Sequence, residues 1–349
     1  MSIKRVAAIF LFILLNASFA VAETNTDWLT SDDISQETMA AYAEYSALQK
    51  LNTKMMAGTM YHVTAEGDTL VDWMFAFPQN FDPDKVYDIV VIALHGDSID
   101  NYPQQIMCTK GIINSSLSQL NQSGSSYILL SPVIHRPGDI YPIGFDRRIF
   151  YNRDQYDEIY LDPDQQLLGV YELLQAWLVD HGVKVRDGLF IEGFSAGGMF
   201  AQRFTLLHPE VVRGCAAGQM GGLVTMPVEE ADGVTLTWPA GISDYEEMMG
   251  HPFDLKTYQS IPQLLYIGSG DIYNSMIFRE WDSSGFFGDY NEVLWIMDRF
   301  GETDPERIEN QVMYLIENGF SQITFRSYKS NGHTGIAFAE ILQFFDGCK

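Results

Sequence analysis

Residues 188–208 read Gly-Leu-Phe-Ile-Glu-Gly-Phe-Ser-Ala-Gly-Gly-Met-Phe-Ala-Gln-Arg-Phe-Thr-Leu-Leu-His, and this stretch decides the fold. Leu189, Phe190 and Ile191 form a short apolar run of the kind a buried strand needs, and Met199, Phe200, Phe204 and Leu207 then recur at helical spacing. Between them lies Gly193-Phe194-Ser195-Ala196-Gly197, a G-x-S-x-G pattern. A strand that turns at once into a helix holds the middle serine at a strained apex with Oγ exposed, and glycines around it let the backbone approach itself closely. Ser195 is therefore read as a nucleophile, with Gly193 and Gly197 as the glycines of its elbow and Gly198 as a third. The competing reading is an ordinary serine in a glycine-rich turn.

Around this core the chain alternates strand and helix signals. Tyr87 to Leu94 is an apolar run ending at His95-Gly96, and similar runs lie at 127–133, 189–193, 211–217, 262–268 and 323–328. Met60 to Thr64 and Leu70 to Phe77 read as two further strands joined by a turn at Glu66-Gly67-Asp68. Over 165–180, Leu167, Leu168, Tyr171, Leu174 and Trp177 share one helical face. Such alternation implies an α/β fold with a doubly wound, mainly parallel sheet, whose ligand site lies at the carboxyl edge. Stretches 134–162, 223–261 and 272–320 each follow a strand at that edge, are long and irregular, and carry aromatics and methionines such as Tyr141, Phe145, Met226, Trp238, Trp281 and Trp295. Loops of that length serve as lids or binding walls, or pack as satellite cores. Some of their side chains are expected to line an apolar pocket.

Lys4 and Arg5, the apolar run Val6 to Leu15 and the small-x-small triplet Ala20-Val21-Ala22 predict a secretory signal peptide over 1–22, cut near Ala22. The organisation expected is this peptide, a helical extension over 23–58 and one catalytic domain over 59–349, exported to the periplasm or medium without a membrane anchor. The chain has 46 acidic and 21 basic residues, a formal charge of −25. The peptide carries two of those bases and none of the acids, so the mature chain stands at −27. Nucleic acid and anionic membranes are poor partners for such a surface. Cys108, Cys215 and Cys348 leave an odd count; one disulfide is possible and its pair is open. Asp82-Pro83-Asp84 and Asp162-Pro163-Asp164 lack the spacing of a calcium loop, so no metal is expected.

A serine hydroxyl needs a base to take its proton and a third group to orient that base. His333, in Ser330-Asn331-Gly332-His333-Thr334-Gly335 after the last strand run, is the base chosen among seven histidines. Asp271, in Ile267-Gly268-Ser269-Gly270-Asp271 at a strand end, is the orienting carboxylate, with Asp254, Asp282 and Asp298 as rivals. For the oxyanion hole the amide of Ala196 supplies one donor and that of Asp97, after His95-Gly96, the second.

The elbow, with His95-Gly96 before it and Asp271 then His333 after it, resembles the α/β-hydrolase family in its order of nucleophile, acid and histidine. Gly-Phe-Ser-Ala-Gly-Gly-Met-Phe-Ala followed by His208-Pro209-Glu210 is similar to secreted esterases of the polyhydroxybutyrate depolymerase and feruloyl esterase type. The resemblance spans about residues 60–346 and implies a secreted, cofactor-free serine esterase acting on a small-molecule or oligomeric ester. Two other readings stand beside it: a serine exopeptidase on the same fold, and an inactive hydrolase-fold binding protein.

Overall fold

A computed structural model describes residues 57–63, 65, 70–93, 102–135, 145, 147–272, 289–329 and 332–349. The signal peptide over 1–22, all but the end of the 23–58 extension, the 66–68 turn and the His95-Gly96-Asp97 loop lie outside these residues.

Ten strands are present among the described residues: β1 Met60–Val63, β2 Trp73–Ala76, β3 Val86–Ala93, β4 Tyr127–Pro132, β5 Lys184–Phe194, β6 Val212–Gly218, β7 Glu230–Ala231, β8 Val234–Thr235, β9 Gln263–Gly268 and β10 Ile323–Tyr328. Eight form one sheet in the order β1-β2-β4-β3-β5-β6-β9-β10, with β7 and β8 making a separate small hairpin. Only β1–β2 and β2–β4 pair antiparallel; the other five ladders of the large sheet are parallel. The chain enters the parallel part at β3, steps out to β4, crosses back to β5 and then proceeds to β10. The reversal falls at the carboxyl ends of β3 and β5, where open α/β sheets bind their ligands.

Helices cover both faces, which is why the central strands read as mostly apolar runs instead of alternating regularly with polar residues. In β3, Ile89, Val91 and Ala93 point into one core, while Val90 and Ile92 point into the other. The second core is closed by α1 Tyr102–Ser123 and by the last helix of the chain, Phe338–Asp346. The first, larger core takes α3 Pro163–Asp180 and α4 Ala196–Leu207. All twelve residues of α4 are buried, Arg203 included. Residues after β6 pack over it: Gln202 Nε2 donates to Thr225 O at 2.9 Å and Arg203 Nε to Thr225 Oγ1 at 3.0 Å.

The expectation of three irregular insertions is corrected. Stretch 134–162 contains α2 Arg147–Tyr151 and two short 3-10 turns, and 223–261 contains the β7–β8 hairpin, α5 Tyr245–Met249 and α6 Leu255–Ser260. From 289 onward the third is helical, with α7 Tyr290–Phe300 and α8 Asp304–Glu317 preceding the terminal α9 Phe338–Asp346. Thr303 caps α8, accepting from Glu306 N, with Pro305 in its first turn. Gln311 on α8 exchanges two hydrogen bonds with the backbone of Val224, at 3.0 and 3.1 Å, so the second and third insertions are joined. Of the insertion side chains, some of which were expected to line a pocket, Phe145, Met226 and Trp238 are fully buried in the main core, Phe145 stacked on Phe200 of α4, while Trp295 is only partly buried against that core. Tyr141 and Trp281 lie outside the described residues. All three cysteines are free, Cys215 fully buried in β6. Among the described residues no helix is long and apolar enough to cross a membrane.

Candidate active site

Ser195 stands between β5 and α4 with φ 56° and ψ −123°, a conformation an L-residue adopts only under strain of about 1–3 kcal/mol. The glycines explain how the turn closes. A Cβ on Gly193 would lie 2.0 Å from the carbonyl oxygen of Gly197, and one on Gly198 would lie 2.5 Å from that of Gly218. Neither position admits a side chain, and the serine is thereby held at the apex. Its own amide is spent on the scaffold, donating to Gly218 O of β6 at 2.9 Å.

His333 and Asp271 meet it from two other strands. Asp271 ends the turn leaving β9, closed by its amide donating to Gly268 O at 3.0 Å, while Ser269 N donates to Tyr328 O at the end of β10. His333 follows β10. Its Nε2 lies 2.9 Å from Ser195 Oγ and its Nδ1 lies 2.7 Å from Asp271 Oδ2. The Asp271 side chain is 2% exposed and that of His333 25%. The carboxylate is thus sealed, and one edge of the imidazole is open to an incoming molecule. Phe194 packs its ring 5.0 Å from that imidazole.

Such a series does acid–base work by geometry. An Nδ1–H donated to a carboxylate leaves the Nε2 lone pair facing the hydroxyl, so the serine proton has an acceptor and the resulting imidazolium a counter-charge. Ala196 is the first residue of α4, and the first amides of a helix have no acceptor within it, which leaves its N–H available to a developing oxyanion. The partner amide assigned to Asp97 lies outside the described residues.

Two of the rival carboxylates stand elsewhere in the fold. Asp254 caps α6, accepting from Thr257 N, and Asp298 is exposed on α7, while Asp282 is outside the described residues. Two of the competing histidines are paired elsewhere: His62 bonds Asp72 at 2.7 Å and His208 bonds Asp164 at 2.8 Å. No group of three or more His, Cys, Asp or Glu side chains among the described residues is placed to hold a metal ion.

Sequence reasoning did not single out the residues beneath the site. Glu192 is buried one residue before the elbow, where desolvation pushes its carboxyl up to about 8. A charged residue inside an apolar strand run is a readable signal. Gly218, Gln219 and Tyr266 carry none: the Tyr266 ring fills the space where a Cβ on Gly218 would stand, 1.9 Å away, a fit visible only in three dimensions.

The sheet order, the flanking helices and the strand–serine–helix elbow define the chain as having the α/β-hydrolase fold. It is similar to poly(aspartic acid) hydrolase-1 from Sphingomonas sp. KT-1, with a TM-score of 0.54 and 16% identity over 82% of this chain and 97% of that one. It is also similar to a poly(3-hydroxybutyrate) depolymerase from Bordetella parapertussis, with a TM-score of 0.51 and 16% identity over 86% of this chain and 94% of that one. No protein-family model and no curated protein matches the sequence.

Proposed function

We propose that this chain is a serine hydrolase that cleaves carboxylic esters through an acyl-enzyme. The observation that carries the reading is the unbroken series Asp271 Oδ2, His333, Ser195 Oγ, at 2.7 and 2.9 Å, with its serine on a strained turn. Ser195 attacks the acyl carbonyl as His333 takes its proton, and Asp271 holds the imidazolium. The Ala196 amide, with that of Asp97, stabilises the oxyanion; one such donor is worth about 100- to 1,000-fold in rate. His333 then protonates the leaving alcohol, and water resolves the acyl-enzyme by the same path. No cofactor takes part. A binding protein built on this fold has no use for a nucleophile kept in strain beside an aligned base.

The substrate we assign is an uncharged small or oligomeric ester, met outside the cytoplasm after removal of the N-terminal 22 residues. A net charge of −25, or −27 after cleavage, repels polyanions and favours neutral acyl chains. The decisive experiment is hydrolysis of p-nitrophenyl esters of graded acyl length by mature wild type and Ser195→Ala. Activity that disappears in the variant supports the esterase, and the length profile sizes the acyl site. A wild type that labels with fluorophosphonate yet cleaves aminoacyl amides in preference to esters moves the assignment to an exopeptidase. A wild type that neither labels nor cleaves refutes catalysis.

A further inference from the structure

The segment Gly218-Gln219 is hydrogen-bonded to the backbone that carries both reacting side chains of the site. Gly218 O accepts the Ser195 amide at 2.9 Å. One residue on, Gln219 leaves β6 in the left-handed region with φ 49°, still donating its own amide to Tyr266 O at 3.0 Å. That twist turns its side chain off the sheet toward the loop after β10. There Nε2 donates to Gly332 O at 2.8 Å and to Thr334 O at 3.3 Å, the two carbonyls that flank His333. Gln219 is 2% exposed, and its Oε1 is buried without a partner among the described residues. A non-glycine residue in this backbone conformation, with half of its buried amide unsatisfied, is unfavourable for folding alone.

We propose that Gln219 is a positioning residue that sets His333 against Ser195, a role that rests on the serine-hydrolase reading. A primary amide is suited to it because one nitrogen carries two N–H donors and no charge, so it bridges two carbonyl oxygens without perturbing the imidazole between them. Ser195 and His333 are thereby referred to one two-residue strut, and their 2.9 Å contact no longer depends on the loop's own stiffness. Tyr266 backs the strut by filling the space beside Gly218.

The test is the second-order rate constant for fluorophosphonate labelling of Ser195 in wild type, Gln219→Met and Gln219→Glu, with kcat and KM on one p-nitrophenyl ester. The reagent needs only an activated serine, so it reads the Ser195–His333 pair whatever the natural acyl group. Gln219→Met keeps the length and loses both donors; labelling rate and kcat fall about 10- to 100-fold while KM moves less than about 2-fold. In Gln219→Glu the ionised carboxylate opposes two carbonyl oxygens, and protonation restores one donor. The ratio of that variant's rate to the wild type's therefore rises as pH is lowered from about 8 to about 5. A purely structural role lowers the fraction of protein that reacts at completion and leaves the rate of that fraction unchanged. That outcome, or rates within about 2-fold of wild type in both variants, overturns the proposal. If Gln219→Met does not fold, the pH dependence of Gln219→Glu decides, and a flat ratio overturns it. A wild type that is not labelled at all refutes the hydrolase reading instead.

Discussion

His208 Nε2 lies 2.8 Å from Asp164 Oδ2, which joins the C-terminal cap of the helix behind Ser195 to the first turn of α3. Glu210 Oε1 stands 3.3 Å from the other ring nitrogen. Burial opposes a charged imidazole at this position, but the hydrogen bonds to Asp164 and Glu210 prevail and raise its pKa to about 9. Most of the effect belongs to Asp164, since the Glu210 side chain is 61% exposed and its field is screened by water.

The clasp therefore has a pH signature. The folded value lies above the unfolded value of about 6.5, so the contribution is complete below that pH and is lost as pH rises through about 9. Its size is on the order of 3 kcal/mol, equivalent to about 5 °C in Tm for a domain of this length. His208→Gln is expected to melt below wild type at pH 6, with the two curves converging by pH 10. A gap that stays constant over that range contradicts a charged His208.

Glu192 makes the opposite experiment possible. Burial alone raises its carboxyl to about 8, so the folded protein holds a proton that the unfolded chain gives up near 4.5. Stability is then full below 4.5 and declines as pH rises through about 8, by several kcal/mol at most. Glu192→Gln preserves shape and removes the titration. Its Tm is expected to match wild type near pH 5 and to exceed it by several degrees near pH 9; thermal melts at the two pH values check this.

These two residues also mark the boundary of what the sequence made legible. The elbow was readable because strand, glycines, serine and helix are contiguous, and the parallel strands because burial on both faces makes them unbroken apolar runs. Asp271 and His333 were reachable through chain order and their place after a strand. Helix α1 was not, since its buried face holds Gln105, Thr109 and Ser116 beside only three aliphatic residues, which hides the helical period. Helices α7 and α8 were read as part of a long loop, although Thr303-Asp304-Pro305-Glu306 carries a helix-start signature. Composition alone does not say which side of a lid the aromatics around them face, so pocket wall and satellite core are equally open from the sequence. Gln219 was beyond reach: its partner Gly332 is 113 residues away and no local pattern links them.

Gly218 and Tyr266 are complementary in a way that a double-mutant cycle can measure. A methyl on Gly218 would fall 1.9 Å from the ring of Tyr266, which is 1% exposed and has nowhere to retreat. Gly218→Ala is expected to cost about 3 kcal/mol or more through overpacking, and Tyr266→Leu about 2–4 kcal/mol through the lost ring. In the double variant the leucine vacates space that the methyl then uses, so its loss is expected to be smaller than the sum by at least about 1 kcal/mol. Additive losses in urea unfolding would show that the two positions do not share that space.

Asp271→Asn probes the orienting carboxylate without changing its shape. Asp271 Oδ2 accepts from His333 Nδ1 at 2.7 Å, inside a turn closed by the Asp271 amide on Gly268 O. An asparagine there can present N–H to Nδ1, which moves the ring proton to Nε2 and leaves no acceptor facing Ser195 Oγ. The expected result is a fall in kcat of about 1,000- to 10,000-fold with KM little changed, and a parallel fall in fluorophosphonate labelling. Asp254→Ala is the control, because that carboxylate caps α6 and its removal should weaken the helix while leaving kcat alone. If Asp254→Ala abolished turnover and Asp271→Asn did not, the orienting role would pass to the carboxylate at the start of α6, and the hydrogen bond at Nδ1 would be incidental to the chemistry.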